Sequence, residues 1–223
     1  MVLDPFYPVV PDSGWVAKLL PAGTRLIQLR IKEQPEAEVR RQVRDARDAC
    51  KAAGAQLIVN DYWQVAIDEG CDYVHLGQED LVDADVKALR RAGIRIGVST
   101  HDHAELDKGL AVDPDYVALG PVYPTKLKQM PWAPQGTERL AEWKKLIGGR
   151  PLVAIGGLTL ERALLCLKSG ADIASVVGDI VNHADPIGQA KAWIAATRSH
   201  NASQFKGGAP SQRLHRRDGA EGS

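Results

Sequence analysis

Nothing in this chain pairs its cysteines. Cys50, Cys71 and Cys166 are far apart, and none stands in a CxxC pair. An odd, scattered set excludes a disulfide framework and a cysteine zinc site, and points to a reducing compartment with the cytoplasm as the default. Each cysteine then reads as a small core or helix residue. Net charge is also missing. Lys plus Arg and Asp plus Glu both number 28, so the basic excess of a general nucleic-acid or membrane-surface binder is absent, and neither partner is expected. No stretch approaches the ~20 apolar residues of a membrane span. Met1 to Val10 lacks a basic segment followed by an apolar run, so no signal peptide is expected there. A dinucleotide or mononucleotide loop after the first strand-like segment is lacking too, which counts against a doubly wound open sheet.

What is there is a strand–helix alternation. The chain of 223 residues is 44% hydrophobic and 25% charged, in the range of one soluble globular domain with a substantial core. Phe6 to Val10 reads as a first strand, with Ser13 capping a short helix after it. Arg25 to Ile31 reads as a second strand, followed by a long helical pattern from Pro35 in which Val39, Val43, Ala46 and Cys50 recur at helical spacing. Six more apolar runs follow, at Gln56–Val59, Tyr73–Leu76, Ile94–Val98, Tyr116–Leu119, Leu152–Ile155 and Ile173–Val177, each trailed by a helical stretch, the last from Pro186 to Ala196. Near-continuous apolar strands are those of a parallel sheet covered on both faces. Eight such units in about two hundred residues predict an α/β fold, a single (β/α)8 TIM barrel. The barrel is expected over 1–199. Residues 200–223, rich in Gly, Ser and Arg with few apolar side chains, read as a disordered C-terminal tail.

The polar residues that stand out fall where this barrel places its sites, at the C-terminal ends of the strands. Gln28, Arg30 and Lys32 alternate with Leu29 and Ile31, so an amide and two cations share one face of an apolar strand. Burying them calls for an anion. Asn60 and Asp61 follow the third strand, Asp80 the fourth and Ser99 the fifth. Thr125 and Lys128 lie in a proline-rich loop over 120–136, longer than the other connections and functional by its length. Two carboxylates beside cations suit Mg²⁺ bridging to a polyphosphate. The bland alternative is a pair of surface ion pairs, Asp61 with Arg30 or Asp80 with Lys32. Gly156-Gly157 and Val177-Gly178, after the seventh and eighth strands, suit a second phosphate held by backbone N–H groups. Two anion sites suggest two phosphorylated substrates. The long second helix interleaves arginines with acids, which reads as a solvated face.

These residues sit in longer motifs: QLRIK at 28–32, VNDYW at 59–63, VHLGQEDL at 74–81, GVSTHD at 97–102, ALGPVYPT at 118–125, KQMPWAPQG at 128–136 and AIGG at 154–157. Together they resemble the thiamine-phosphate synthase family over nearly the whole barrel. The resemblance implies a Mg²⁺-dependent transferase. That family joins 4-amino-2-methyl-5-hydroxymethylpyrimidine diphosphate to 4-methyl-5-(2-hydroxyethyl)thiazole phosphate, giving thiamine phosphate and diphosphate. It further implies that the segment Gln28-Leu29-Arg30-Ile31-Lys32, with Asn60, Ser99 and Lys128, binds the pyrimidine diphosphate. Arg30, Lys32, Ser99 and Lys128 would be the catalytic side chains, and Asp61 and Asp80 the Mg²⁺ ligands. Thr125, Gly157, Val177 and Gly178 would face the thiazole phosphate, and Lys126 and Leu127 would belong to the substrate-binding set. Two positions depart from the family's pattern. Leu127 stands where many members have Thr, and Gly178, followed by Asp179, where many have Ser, so weaker thiazole-phosphate binding is expected. A related thiazole tautomerase-like isomerase and a non-catalytic phosphate-binding barrel are the competing readings, and a homodimer is compatible with all three.

Overall fold

The computed structural model describes residues 3–125 and 132–207. Eight parallel strands close into a barrel in sequence order: β1 Phe6–Val10, β2 Leu26–Leu29, β3 Gln56–Asn60, β4 Tyr73–Leu76, β5 Arg95–Thr100, β6 Tyr116–Leu119, β7 Leu152–Ala154 and β8 Ile173–Val176. The ring closes where Phe6, Tyr7 and Pro8 of β1 pair with Ala174, Ser175 and Val176 of β8. Around it lie α1 Ser13–Leu19, α2 Glu36–Ala53, α3 Trp63–Asp68, α4 Gln78–Asp83, α5 Val86–Arg91, α6 His103–Leu110, α7 Glu138–Leu146, α8 Leu160–Lys168, α9 Gly178–Val181 and α10 Pro186–Gly207. The expected TIM barrel is therefore the fold.

Strand alternation divides the core into two shells. Outward-facing residues such as Leu29, Val59, Val74, Val98 and Val117 join the helices' apolar faces, including the fully buried Trp143 and Trp193. Inward-facing residues Leu26, Ile58, Tyr73, Tyr116, Val153 and Ile173 fill the lower barrel. Two residues further along the same strands, the inward side chain turns polar: Leu26 gives way to Gln28, Ile58 to Asn60, Tyr73 to His75 and Ile173 to Ser175. The period of two thus stacks a polar floor directly on an apolar plug.

Several expected boundaries move. β2 stops at Leu29, although the Arg30 N–H still donates to the Val10 carbonyl at 2.8 Å and keeps the chain extended. The cap of α1 is Asp12, whose carboxylate accepts from the Trp15 N–H at 2.8 Å, and not Ser13. Two short helices stand where loops were expected, α4 after β4 and α9 after β8; neither has a side-chain cap to announce it. The last helix runs past Ala196 to Gly207, so the expected limit of the barrel at 199 falls inside it. The tail from 208 onward lies outside the described residues.

Candidate active site at the barrel mouth

A cavity of about 720 Å³ opens at the C-terminal ends of the strands. Gln28, Arg30, Lys32, Asn60, Asp61, Asp80, Ser99, Thr125, Gly157, Val177 and Gly178 all border it. The convergence expected from one strand end at a time is therefore met by a single chamber. Leu29 and Ile31 require correction. They were grouped with the substrate-binding segment, yet both are buried in the outer shell against the helices. Alternation turns their side chains away as it turns those of Gln28, Arg30 and Lys32 inward. Lys126, Leu127 and Lys128 lie outside the described residues.

The charged half of the mouth comes from β2, β3 and β4. Asp61 follows β3 in the left-handed region at φ 63°, a conformation that Asp tolerates better than most residues. Its N–H donates to the His75 carbonyl and its own carbonyl accepts from Trp63, at 2.9 and 2.7 Å, which fixes the turn that aims the carboxylate at the cavity. Lys32 Nζ lies 2.7 Å from Asp61 Oδ2, its side chain half exposed at 50%. The ion pair that forms is thus Lys32–Asp61 and neither of the two anticipated pairs. Asp80 rides on the first turn of α4, which Gln78 anchors by donating to the Ser99 carbonyl at 2.7 Å. Burial, then the negative charge and hydrogen bond of Asp61, push the Asp80 carboxyl above its ordinary range. Two carboxylates in hydrogen-bond reach, one reluctant to ionise beside the other, form an oxygen-only donor pair that a divalent cation would relieve. Among the described residues no group of three or more His, Cys, Asp or Glu could hold a metal alone. The donor chemistry of the pair would suit a hard divalent cation such as Mg²⁺, which takes oxygen ligands and keeps several waters. Asn60, at the same edge of the cavity, has a buried Nδ2 without a partner.

The opposite half, from β7 and β8, offers backbone. Gly156 and Gly157 both take positive φ, 100° and 66°. The Tyr123 N–H donates to the Gly156 carbonyl at 3.0 Å, and Arg162 donates to the Gly157 carbonyl at 2.7 Å while stacking on Tyr123. A methyl group on Gly157 would run into the carbonyls of Pro124 and Tyr123. Val177 leads into α9, whose first N–H groups have no partner within the helix. Asp179, the carboxylate expected to trouble an anion here, is already engaged. Its Oδ2 accepts from Gln189 Nε2 and from Trp193 Nε1, each at 2.7 Å.

The floor between the halves contains residues that the sequence did not single out. Ser175 of β8 is buried at 1% exposure, and its hydroxyl has no partner. His75 bridges Tyr116 and Ser99 at 2.6 and 2.8 Å, and burial pushes its imidazole down to about 4. Trp132 stands at the rim, stacked on His101 with 4.0 Å between ring centroids. Only the alternation of strand residues could have placed Ser175 and His75 inside, because both sit in otherwise apolar runs. The three cysteines are buried, burial pushes their thiols up to about 12, and none of them borders the cavity.

Comparison with known proteins agrees with this geometry. The family model described as thiamine monophosphate synthase matches residues 7–180. A Rhizobium etli protein named thiamine-phosphate synthase is 59% identical over 88% of this chain and 97% of its own length. One of the same name from Cronobacter sakazakii is 50% identical over 86% of this chain and 88% of its own. The solved thiamine phosphate pyrophosphorylase of Pyrococcus furiosus superposes with a TM-score of 0.77 at 25% identity, covering 89% of this chain and 96% of that one.

Proposed function

The chain belongs to the thiamine-phosphate synthase family, and on that premise we infer that its barrel mouth joins the pyrimidine diphosphate to the thiazole phosphate with the help of Mg²⁺. The observation that carries this reading is the meeting, in one cavity, of Gln28, Arg30, Lys32 and the Asp61–Asp80 pair with the glycine-lined turns after β7 and β8. One half receives a diphosphate and the other a monophosphate.

The reaction breaks the bond from the pyrimidine methylene carbon to a diphosphate oxygen and forms a bond from that carbon to the thiazole nitrogen. The amino group on the pyrimidine supports positive charge at the methylene as the diphosphate leaves, so no strong base or nucleophile is required. The chain's work is electrostatic and positional. Arg30 and Lys32 take negative charge on the departing oxygens, and Asn60 Nδ2 supplies a buried donor to them. Lys32, paired with Asp61 at 2.7 Å, is half exposed and would turn to the diphosphate when it binds. Asp61 and Asp80 would hold Mg²⁺, which when bound neutralises charge on the leaving group. Gly157, Val177 and Gly178 hold the thiazole phosphate by main-chain N–H groups, so the nitrogen is presented to the methylene carbon from across the mouth. The partly enclosed cavity limits water as a competing nucleophile.

Three buried, unpaired thiols suit a reducing interior such as the cytoplasm. No helix among the described residues is long and apolar enough to cross a membrane. The direct test supplies both substrates with Mg²⁺ and follows diphosphate release together with thiamine phosphate. Stoichiometric formation of the two products is expected, and no product at high enzyme concentration would refute the assignment.

A further inference from the structure

Beneath the cavity runs a chain of buried hydrogen bonds that crosses the barrel. Gln28 Nε2 donates to Tyr7 Oη at 2.7 Å. Tyr7 Oη lies 2.9 Å from Tyr116 Oη, which lies 2.6 Å from His75 Nδ1. His75 Nε2 ends the chain 2.8 Å from Ser99 Oγ. Tyr7 and Tyr116 are fully buried. Room for the Tyr116 ring exists only because β5 carries Gly97, where a Cβ would overlap the ring atoms. The imidazole lies nearly parallel to that ring, at 15°.

The direction of this chain follows from counting hydrogens. The Tyr7 oxygen already receives the Gln28 amide, so its own hydrogen needs another acceptor, and Tyr116 Oη is the neighbour within reach. Tyr116 must then give its hydrogen to His75 Nδ1. A neutral imidazole that accepts at Nδ1 carries its proton on Nε2, and that proton goes to Ser99 Oγ. The serine hydrogen is thereby left over for the cavity. Run the other way, the chain would draw the Ser99 hydrogen down to His75 and leave a buried tyrosine hydrogen without an acceptor. A protonated imidazole would donate at Nδ1 as well and leave a buried tyrosine hydrogen without an acceptor, so the same count keeps the ring neutral.

We propose that Tyr7, Tyr116 and His75 are positioning residues that fix the His75 tautomer and so deliver Ser99 as a hydrogen-bond donor to an acceptor atom of the pyrimidine diphosphate. This rests on the function inferred above for the cavity. Of the Tyr7–Tyr116–His75–Ser99 run, Ser99 is the member that touches substrate. The tyrosines act through it, and their hydroxyls polarise one another along the chain.

The test has an arm that needs no substrate. Nitrogen NMR of the full chain labelled in histidine reports which ring nitrogen carries the proton. The expected result is a single Nε2–H tautomer for His75 in the wild type and a mixed population in Tyr116→Phe. The kinetic arm compares Ser99→Ala, Tyr116→Phe and the double variant. Tyr116→Phe is expected to lower kcat/KM for the pyrimidine diphosphate about tenfold, the scale of one hydrogen bond to a charged group, while leaving KM for the thiazole phosphate unchanged. In the Ser99→Ala background the same change should cost nothing further. An Nδ1–H tautomer in the wild type would overturn the proposal, as would a tenfold loss from Tyr116→Phe that persists when Ser99 is alanine. If the wild type turned over neither substrate, the function assigned to the cavity would fail, while the tautomer result would still judge the hydrogen-bond chain.

Discussion

Across the barrel mouth, the turns after β2, β3 and β4 present charged side chains to the cavity, whereas those after β7 and β8 present main chain. In the first half Lys32 leans on Asp61 at 2.7 Å, with Arg30 and Asp80 bordering the same cavity. The second half is pinned by its own packing: Arg162 holds the Gly157 carbonyl, and Gly157 lies under the carbonyls of Pro124 and Tyr123. The two halves therefore fail differently. A charged site is weakened by deleting atoms, a backbone site by adding them.

The largest effect is expected from deletion on the charged side. Asp61→Ala and Asp80→Ala should each lower turnover by about a thousandfold, on the scale of ~4 kcal/mol for losing preorganised charge at a leaving group. Both should flatten the dependence of rate on Mg²⁺ concentration. Diphosphate release followed against Mg²⁺ measures this, and a variant with the wild-type Mg²⁺ curve would remove its carboxylate from the assignment.

The neutral floor between the halves offers the next effect, on stability. With its folded value near 4 and an ordinary value of 6.5, His75 stays unprotonated when folded at a pH where the unfolded chain has already bound a proton. Stability from this group is therefore full above pH 6.5 and falls as pH drops toward 4, by about 3 kcal/mol across the window, at 1.36 kcal/mol per pH unit. Urea unfolding at several pH values, without Mg²⁺, should show that slope in the wild type and a shallower one in His75→Gln. Equal slopes would mean that the imidazole is not held uncharged by its burial.

Addition on the backbone side comes third. Gly157→Ala forces a side chain onto a φ of 66° and against two carbonyls, which costs about 1–3 kcal/mol of local strain. The expected consequence is a rise of about thirtyfold in KM for the thiazole phosphate with little change in KM for the pyrimidine diphosphate. Equal changes in both would show that the two halves are not separate sites.

How much of this was legible from residues alone follows the same division. Gln28, Arg30, Lys32, Asp61 and Asp80 were readable because charge that interrupts or follows an apolar strand is costly to bury without a partner of opposite sign. The barrel was readable because all of its strands are apolar runs with helices between them. The Tyr7–Tyr116 contact was not, since it joins residues 109 apart in sequence that each look like ordinary core aromatics. Ser175 sits in a run of small and branched residues and gives no local signal. The helices α4 and α9 escaped because they are 6 and 4 residues long and lack side-chain caps. Leu29 and Ile31 were drawn into the site by their neighbours, although the period of two that placed Arg30 inward should have sent them outward.

Asp179 gives the smallest expected effect and the sharpest probe of the comparison. From sequence, a carboxylate beside the thiazole-phosphate turn counts against anion binding. In the structure, its Oδ2 accepts from both Gln189 and Trp193 of α10, so the carboxylate ties α9 to α10 and its place is structural. If the backbone half works without side-chain charge, Asp179→Asn should change KM for the thiazole phosphate by less than about threefold, a shift below ~0.7 kcal/mol. The loss should appear instead in unfolding free energy, at about 1 kcal/mol, because a neutral amide oxygen in place of Oδ2 accepts the two N–H groups more weakly than a carboxylate does. A large drop in KM with stability unchanged would mean that the carboxylate does repel the phosphate, and that side-chain charge governs both halves of the mouth.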